Sequence, residues 1–357
     1  MRYIRWFYWK FRSDIVAIPW RLISLFFVIL LIVLPSIFPH PYLIRTLTLA
    51  LLYSLFAASW DFLAGFTGQL NLGHAFFFGA SAYASALLNV NYNLPPWAAV
   101  PLSTVVSVAA GLILCMPAFR LRGIYLALVT LVFPFILSGF VHVFDNFTGG
   151  ELGISGLARL TSKPMFDYYI ILAVTVVSLL IMWKFTDTRS KLLRTGVLLH
   201  AIREDEITAR ATGIFTTRYK IMAFCISGFF GGLAGGLYAH FIRIVGPSVL
   251  ELFFSFNALL WTVFGGITTI YGAVAGVFIL YPVTELLRIH PMGEEMRFMI
   301  QAIIMILVLL FMPQGLTRWI RDHIENECPR CKLINFVTRK VCRGCRAPLY
   351  LENRSRS

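Results

Sequence analysis

Four cysteines near the end of the chain carry the most specific chemical signal. In CPRCKLINFVTRKVCRGC, Cys328 and Cys331 make one CxxC pair and Cys342 and Cys345 a second, with ten residues between them. Two such knuckles can set four thiolates tetrahedrally around Zn²⁺, as a small zinc ribbon does. So short a segment has too little core to fold alone, and metal binding would supply its folding energy. The alternatives are two disulfides or free thiols, and a reducing compartment disfavours the disulfides. Cys115 and Cys225 lie in apolar runs and are expected only to pack.

A second candidate is LRTGVLLHAIREDEITARATG, residues 193 to 213, a charged stretch in a chain that is 58% hydrophobic and 13% charged. Leu198, Ala201, Ile202, Ala209 and Thr212 recur near helical spacing. Arg203, Glu204, Glu206 and Arg210 fall on the opposite face, and Gly213 suits a C-terminal stop. The pattern predicts a short amphipathic helix offered to a soluble partner. Laid in a groove, such a helix transmits motion because it is rigid and its apolar anchors hold its register.

Catalytic groups are not evident. Most of the 17 acidic residues sit in loops or tails, with Asp61 near the end of the second apolar segment and Glu285 near the end of the ninth. No carboxylate pair or His/Glu cluster stands at mid-membrane depth, which argues against a proton-driven carrier and an intramembrane hydrolase. His74 and His240 are lone histidines on small and aromatic faces and read as packed, hydrogen-bonded side chains rather than metal ligands. Asn71 and Asn257 could meet a substrate, although hydrogen bonding between helices is the default. There is no GxxxxGK[ST] loop, so the chain cannot cradle ATP itself.

The elements that must position these residues are membrane helices. Mean hydropathy is +0.76, and ten apolar segments recur, at about 22 to 39, 42 to 63, 73 to 90, 96 to 117, 123 to 144, 166 to 184, 218 to 243, 252 to 267, 270 to 288 and 296 to 312. Runs of this length without period-two alternation suit helices, whose backbone groups are paired within the segment. The fold class is therefore an all-α integral membrane protein, a polytopic bundle of about ten spans, with the zinc ribbon appended.

The formal charge is +14, and its basic residues cluster in loops, where membrane orientation explains them better than nucleic acid does. The N-terminus, residues 1 to 21, is basic and aromatic, carries no signal-peptide cleavage site, and suits a cytoplasmic membrane surface. With it inside, Arg120, Arg122, the loop 185 to 217 and the tail also fall inside, so both termini are expected to be cytoplasmic. Two fives then make an inverted repeat. The third segment of each is interrupted by glycine, through Gly65, Gly68, Gly73 and Gly79 in the first half and Gly265, Gly266, Gly272 and Gly276 in the second. Such interruptions point to a translocation pathway near Gly68, Asn71, Gly73, His74, Gly265 and Gly266, or else to close helix approach.

The stretches GFTGQLNLGHAFFFGASAYASALL, FRLRGIYLALVTLVF, TGGELGISGL, HAIREDEITARATGIFTTRYKIMAFCISGFFGGLAGGLYAHF and FGGITTIYGAVAG, in that order, resemble LivM-type permease subunits of branched-chain amino-acid ABC transporters, a likeness that covers about residues 20 to 315. It implies that residues near 194 to 213 are the coupling helix on a cytoplasmic ATPase, through Arg203, Glu204, Asp205, Glu206, Ala209 and Gly213. It also implies a second homologous permease, two ATP-binding subunits that alone hold ATP, an extracytoplasmic substrate-binding protein and a bacterial or archaeal inner membrane. The E-A-A-x-x-x-G motif of ABC importers survives only as Ile207, Thr208, Ala209 and Gly213.

The expected organisation is a permease domain over 22 to 315, a linker over 316 to 327 and the ribbon over 328 to 357. Trp319, Ile320 and Ile324 are spaced to lie along the membrane surface. LivM-type permeases do not ordinarily carry a ribbon, which could brace the ATPase interface, recruit a protein, or respond to metal or redox state. From Arg318 onward ten basic residues face four acidic ones, a balance that also suits anionic headgroups or nucleic acid. The reading from another class is a stand-alone secondary carrier or metal-regulated channel, which would work without ATPases.

Overall fold

A computed structural model describes residues 19–116, 121, 123–187, 195–289, 294–312, 314–331, 334–342 and 344–349. Pro41–Gly315 form one unit; Met1–His40 and Leu316–Ser357 form the other. Arg120, Arg122, Arg194 and most of the basic N-terminal segment lie outside the described residues.

The helices run α1 (Pro19–Ile37), α2 (Pro41–Thr67), α3 (Ala75–Tyr92), α4 (Pro96–Cys115), α5 (Ile124–Val143), α6 (Asp145–Thr148), α7 (Pro164–Thr186), α8 (Thr195–Glu204), α9 (Glu206–Ala211), α10 (Thr216–Ile242), α11 (Leu252–Gly265), α12 (Ile270–Ile289), α13 (Glu294–Phe311) and α14 (Leu316–Ile324). Every one of the ten apolar segments is a helix, within a few residues of its expected ends. Among the described residues, α2, α4, α5, α7, α10 and α12 are long and apolar enough to cross a membrane. The 14 residues of α11 rise only about 21 Å, short of a hydrocarbon core about 30 Å thick.

The core of the larger unit is α2. Apolar residues fall on every side of it, so no face is reserved for solvent or lipid, and from Leu47 to Thr67 every residue but Tyr53 is buried. Around it pack α10, α12, α7 and α11. The helix α10 approaches α3 closely because FFGGLAGG presents small residues: a Cβ on Gly235 would sit 2.0 Å from the carbonyl oxygen of Phe78. Two short strands, β1 (Ile154–Ser155) and β2 (Ile244–Val245), pair antiparallel. They tie the 145 to 165 loop to the end of α10, reinforced by His240 Nδ1 at 2.8 Å from the Ala158 carbonyl and by the Arg243 Nε–H, which donates to Leu157 O over 3.1 Å.

In the smaller unit, α14 leads directly into β3 (Glu325–Glu327), which pairs antiparallel with β4 (Ile334–Phe336). The stretch expected as a linker therefore contains a helix and the first strand of the cysteine-bearing hairpin. The strand precedes Cys328 because the knuckle is the turn that joins the two strands.

Candidate functional site

Three consecutive residues of α2 organise the centre of the larger unit. Successive helical side chains diverge by about 100°, so Ser59, Trp60 and Asp61 reach three separate neighbours. Ser59 Oγ lies 2.8 Å from Nε2 of His74. The indole of Trp60 donates to the Asn71 carbonyl over 2.7 Å. Oδ1 of Asp61 accepts the Thr268 N–H over 2.8 Å. Two non-helical breaks, residues 68 to 74 between α2 and α3 and residues 266 to 269 between α11 and α12, are thus pinned by one helix.

Backbone freed at the first break needs partners, since each buried polar group left unpaired costs about 1–3 kcal/mol. Side chains supply them: Asn71 Oδ1 accepts from Gly73 N–H (2.9 Å), Thr130 Oγ1 from Leu72 N–H (3.2 Å) and Ser255 Oγ from Ala75 N–H (2.9 Å). Pro134 has no N–H for the Thr130 carbonyl four residues back, and Gly73 passes against that carbonyl. A Cβ at Gly73 would stand 1.8 Å from it. Gly68, by contrast, needs its freedom for a φ of 70°.

The expected pathway residues thus fall into two tight groups. Gly68, Asn71, Gly73 and His74 make the first break, where His74 is fully buried, stacks on Phe56 at 4.8 Å between ring centroids and packs as a hydrogen-bonded side chain. Gly265 and Gly266 open the second, and a Cβ on Gly265 would meet the Gly272 carbonyl at 1.8 Å. The breaks precede α3 but follow α11, so they flank the third helix of their halves on opposite sides. Close approach of backbones accounts for glycine at 73 and 265.

The charged stretch differs from the single helix read from its periodicity. It forms two helices, α8 and α9, because Asp205 adopts extended backbone (φ −154°, ψ 107°) and caps α9, its carboxylate accepting from Ile207 N–H and Thr208 N–H. The Thr208 hydroxyl and both amides hold the Asp205 carboxyl below the usual carboxylate range. Glu206 is not on an outward face: it is half-buried, paired with Lys220 at 2.6 Å and Arg210 at 3.0 Å. A charge one position past the break points inward because α9 starts its own phase. Ala209 is buried, whereas Arg203, Glu204, Asp205 and Gly213 are exposed, the last with φ 88° just beyond α9.

Two exposed apolar side chains stand out here, Ile207, read from sequence only as part of a motif remnant, and Phe215, not singled out from sequence. Ile207 is 69% and Phe215 80% exposed, on either side of Gly213. For Ile207 the signal was available, since it departs from the apolar stripe of the stretch; Phe215 lies two residues past its end. On its inner side α8 packs against the end of α2. His200 meets Phe66 with ring centroids 5.5 Å apart, and Arg203 Cγ lies 3.5 Å from where a Gly68 Cβ would be. Burial lowers the His200 pKa, aided by the nearby Arg203 charge.

In the tail, the Sγ atoms of Cys328, Cys331, Cys342 and Cys345 all lie within 4.8 Å of one another. Tetrahedral Zn²⁺ with Zn–S near 2.3 Å requires sulfurs about 3.8 Å apart, so the four thiols fit that ion. The amides of Cys345 and Gly344 push the Cys342 thiol down to about 6, and Cys328 is likewise lowered, first by the Cys331 amide. Asn335, wholly buried, points its amide at Cys342 Sγ over 3.6 Å.

A bundle of long apolar helices around a buried polar helix end, with a charged helical pair beside it, is the architecture of a polytopic membrane protein. The chain belongs to the family described as branched-chain amino acid transport system / permease component, which matches residues 42–309. It is 30% identical to the high-affinity branched-chain amino acid transport system permease protein LivM of Salmonella typhimurium, over 80% of this chain and 72% of that one. The corresponding Escherichia coli LivM is 30% identical over 78% and 70% of the two chains. A probable LivM of Methanocaldococcus jannaschii is 24% identical over 61% and 67%. No solved structure matches the chain.

Proposed function

We propose that the chain is the permease subunit of an ATP-driven importer of branched-chain or related amino acids. In this reading it crosses the inner membrane of a bacterial or archaeal cell ten times, with both termini in the cytoplasm and no ATPase site of its own. Two cytoplasmic ATP-binding subunits supply the energy, a second homologous permease completes the pathway, and an extracytoplasmic binding protein delivers the substrate. The permease relatives support the class.

The observation that carries the coupling is the double contact of α8. One side packs on Phe66 through His200 and on Gly68 through the stem of Arg203; the other leaves Glu204 outward, with Ile207 and Phe215 exposed just beyond. An ATPase gripping the outer residues would move α8, and α8 would carry that movement to the breaks, beside which the substrate passes. Gly68, Asn71, Gly73, His74, Gly265 and Gly266 frame that route. Asp205 and Gly213 shape the outer surface, while Glu206 and Ala209 hold α9 in place beneath it.

In the tail, the four cysteines hold a structural Zn²⁺. The ion would fasten the β3–β4 hairpin, with α14 resting on anionic lipid at the membrane surface through Trp319.

The test is reconstitution in vesicles with the ATPase pair, the partner permease and the binding protein. Labelled leucine should accumulate only with ATP and only in the full assembly. Ile207→Asp with Phe215→Asp should abolish ATPase association. Uphill flux by the chain alone, or unchanged uptake in the double variant, would overturn the reading.

A further inference from the structure

Three of the long apolar helices leave a furrow in the larger unit. α4 packs along α10, whereas α7 packs mainly on α2, so α4 and α7 stand apart with α10 as the floor between them. Val105 and Ala109 make one wall, Ile181 and Phe185 the other, and Cys225 and Ile226 lie at the bottom. The cavity measures about 540 Å³, and every residue lining it is apolar. Small-molecule sites enclose about 300–1,000 Å³, so the furrow has room for a ligand. Exposed Val105, Ala109, Ile181 and Phe229 open it outward, and all three helices are long and apolar enough to cross a membrane. The medium it opens to is therefore hydrocarbon.

One end of the furrow is basic. α7 ends and α10 begins on the side of the bundle where α8 lies, and the Thr195 hydroxyl at the start of α8 donates to the Phe185 carbonyl over 3.0 Å. Arg218 lies seven residues before Cys225 and eleven before Phe229, spacings that keep the three on one face of α10. On α7, Lys184 adjoins Phe185 and follows Ile181 by three residues. Both cations are exposed, and neither side chain pairs with a described residue. The acids nearest along the chain are placed elsewhere: Glu206 holds Lys220 and Arg210, and Asp187 stands past the end of α7. Trp183, exposed beside Lys184, is a residue type that settles at headgroup depth.

We propose that this furrow binds one anionic phospholipid, with an acyl chain between α4 and α7 and the phosphate on Lys184 and Arg218. Long basic side chains keep their stems in hydrocarbon while their charges reach a headgroup, and basic pockets between membrane helices suit anionic lipid. A helix from a second subunit fits less well. Such a helix is about 10 Å wide and seats closely on small residues, whereas Val105, Ile181 and Phe229 rim this furrow. Phe185 joins the site to α8, because its side chain lines the furrow and its carbonyl holds Thr195. Bound lipid thereby steadies the start of α8. The site requires the membrane bundle alone and stands whether or not the chain imports amino acids.

Native mass spectrometry of the purified full chain, equilibrated with equal amounts of phosphatidylglycerol and phosphatidylcholine, tests the proposal. The wild type should retain one phosphatidylglycerol in preference to phosphatidylcholine. Lys184→Gln and Arg218→Gln should each lower that preference by about fivefold, the share of one basic residue near an anionic surface. Arg45→Gln, which removes an exposed cation at the start of α2, should leave it unchanged. Ala109→Phe, which fills the furrow from its exposed wall, should expel both lipids. Equal retention of the two lipids by the wild type, or a loss in Arg45→Gln as large as in Arg218→Gln, would overturn the proposal. So would a crosslink from Ala109→Cys to a second permease in the full assembly, since that subunit would then occupy the furrow.

Hydrogen exchange supplies a readout for the link to α8. Amides of residues 195 to 204 should exchange more slowly in phosphatidylglycerol vesicles than in phosphatidylcholine ones, and the difference should vanish when Lys184→Gln and Arg218→Gln are combined. Equal exchange of the wild type in both lipids would overturn the steadying role.

Discussion

The ammonium of Lys220 lies 2.6 Å from the Glu206 carboxylate, which also receives the Thr216 hydroxyl at 3.3 Å. This pair fastens α9 to the start of α10, and both side chains are largely shielded. Removing one partner strands the other, so Glu206→Ala should cost about 3 kcal/mol. A lowered melting temperature in detergent would register it, whereas a Glu206 on an outward face would melt like the wild type.

Asp205 predicts an acid-sensitive cap. Its folded pKa is depressed, so the stabilisation it gives α9 is complete above the unfolded carboxyl value of about 4 and is lost as pH falls through the folded value. Protection factors of the Ile207 and Thr208 amides, corrected for intrinsic exchange, should therefore hold near neutrality and drop in acid. Asp205→Ala should show the low protection at every pH.

Gly265 and Gly139 make a matched contrast. Adding a Cβ at 265 drives it into the Gly272 carbonyl, while at 139, on an exposed helical face, it meets nothing within 4 Å. Gly265→Ala should destabilise by about 2 kcal/mol through forced backbone shifts. Gly139→Ala should be neutral or add up to about 1 kcal/mol through helix propensity. Thermal unfolding of the two variants side by side checks both signs.

The cysteine quartet should hold one Zn²⁺ per chain, measurable by elemental analysis of the purified protein. Because the Cys345 and Gly344 amides push the Cys342 thiol down to about 6, binding should weaken as pH falls through that value and protons compete for the sulfurs. Cys342→Ser should lose the metal; Cys225→Ser should keep it. Cobalt substitution should yield the intense visible bands of tetrahedral thiolate ligation in the wild-type chain and not in Cys342→Ser.

Much of the fold was legible because apolar run length is a local property. The segment read as 96 to 117 is α4 at Pro96–Cys115, and 166 to 184 is α7 at Pro164–Thr186. The break inside the charged stretch was not legible. An aspartate among IREDEI can continue a helix or cap a new one, and the choice depends on where α8 finds its packing surface on α2. The same packing left Ile207 and Phe215 exposed and took Glu206 inside.

From sequence alone came the membrane class, the ten helical segments, the motifs of the permease family and four cysteines at metal-binding spacing. All of these depend on residues near one another along the chain. Tertiary structure decided which polar groups meet: Asp61 with the Thr268 amide 207 positions later, and Ser59 with His74 at a buried helix end. Such meetings follow from how close two helices can pack, which is set by small residues on several segments at once and by no periodicity within one.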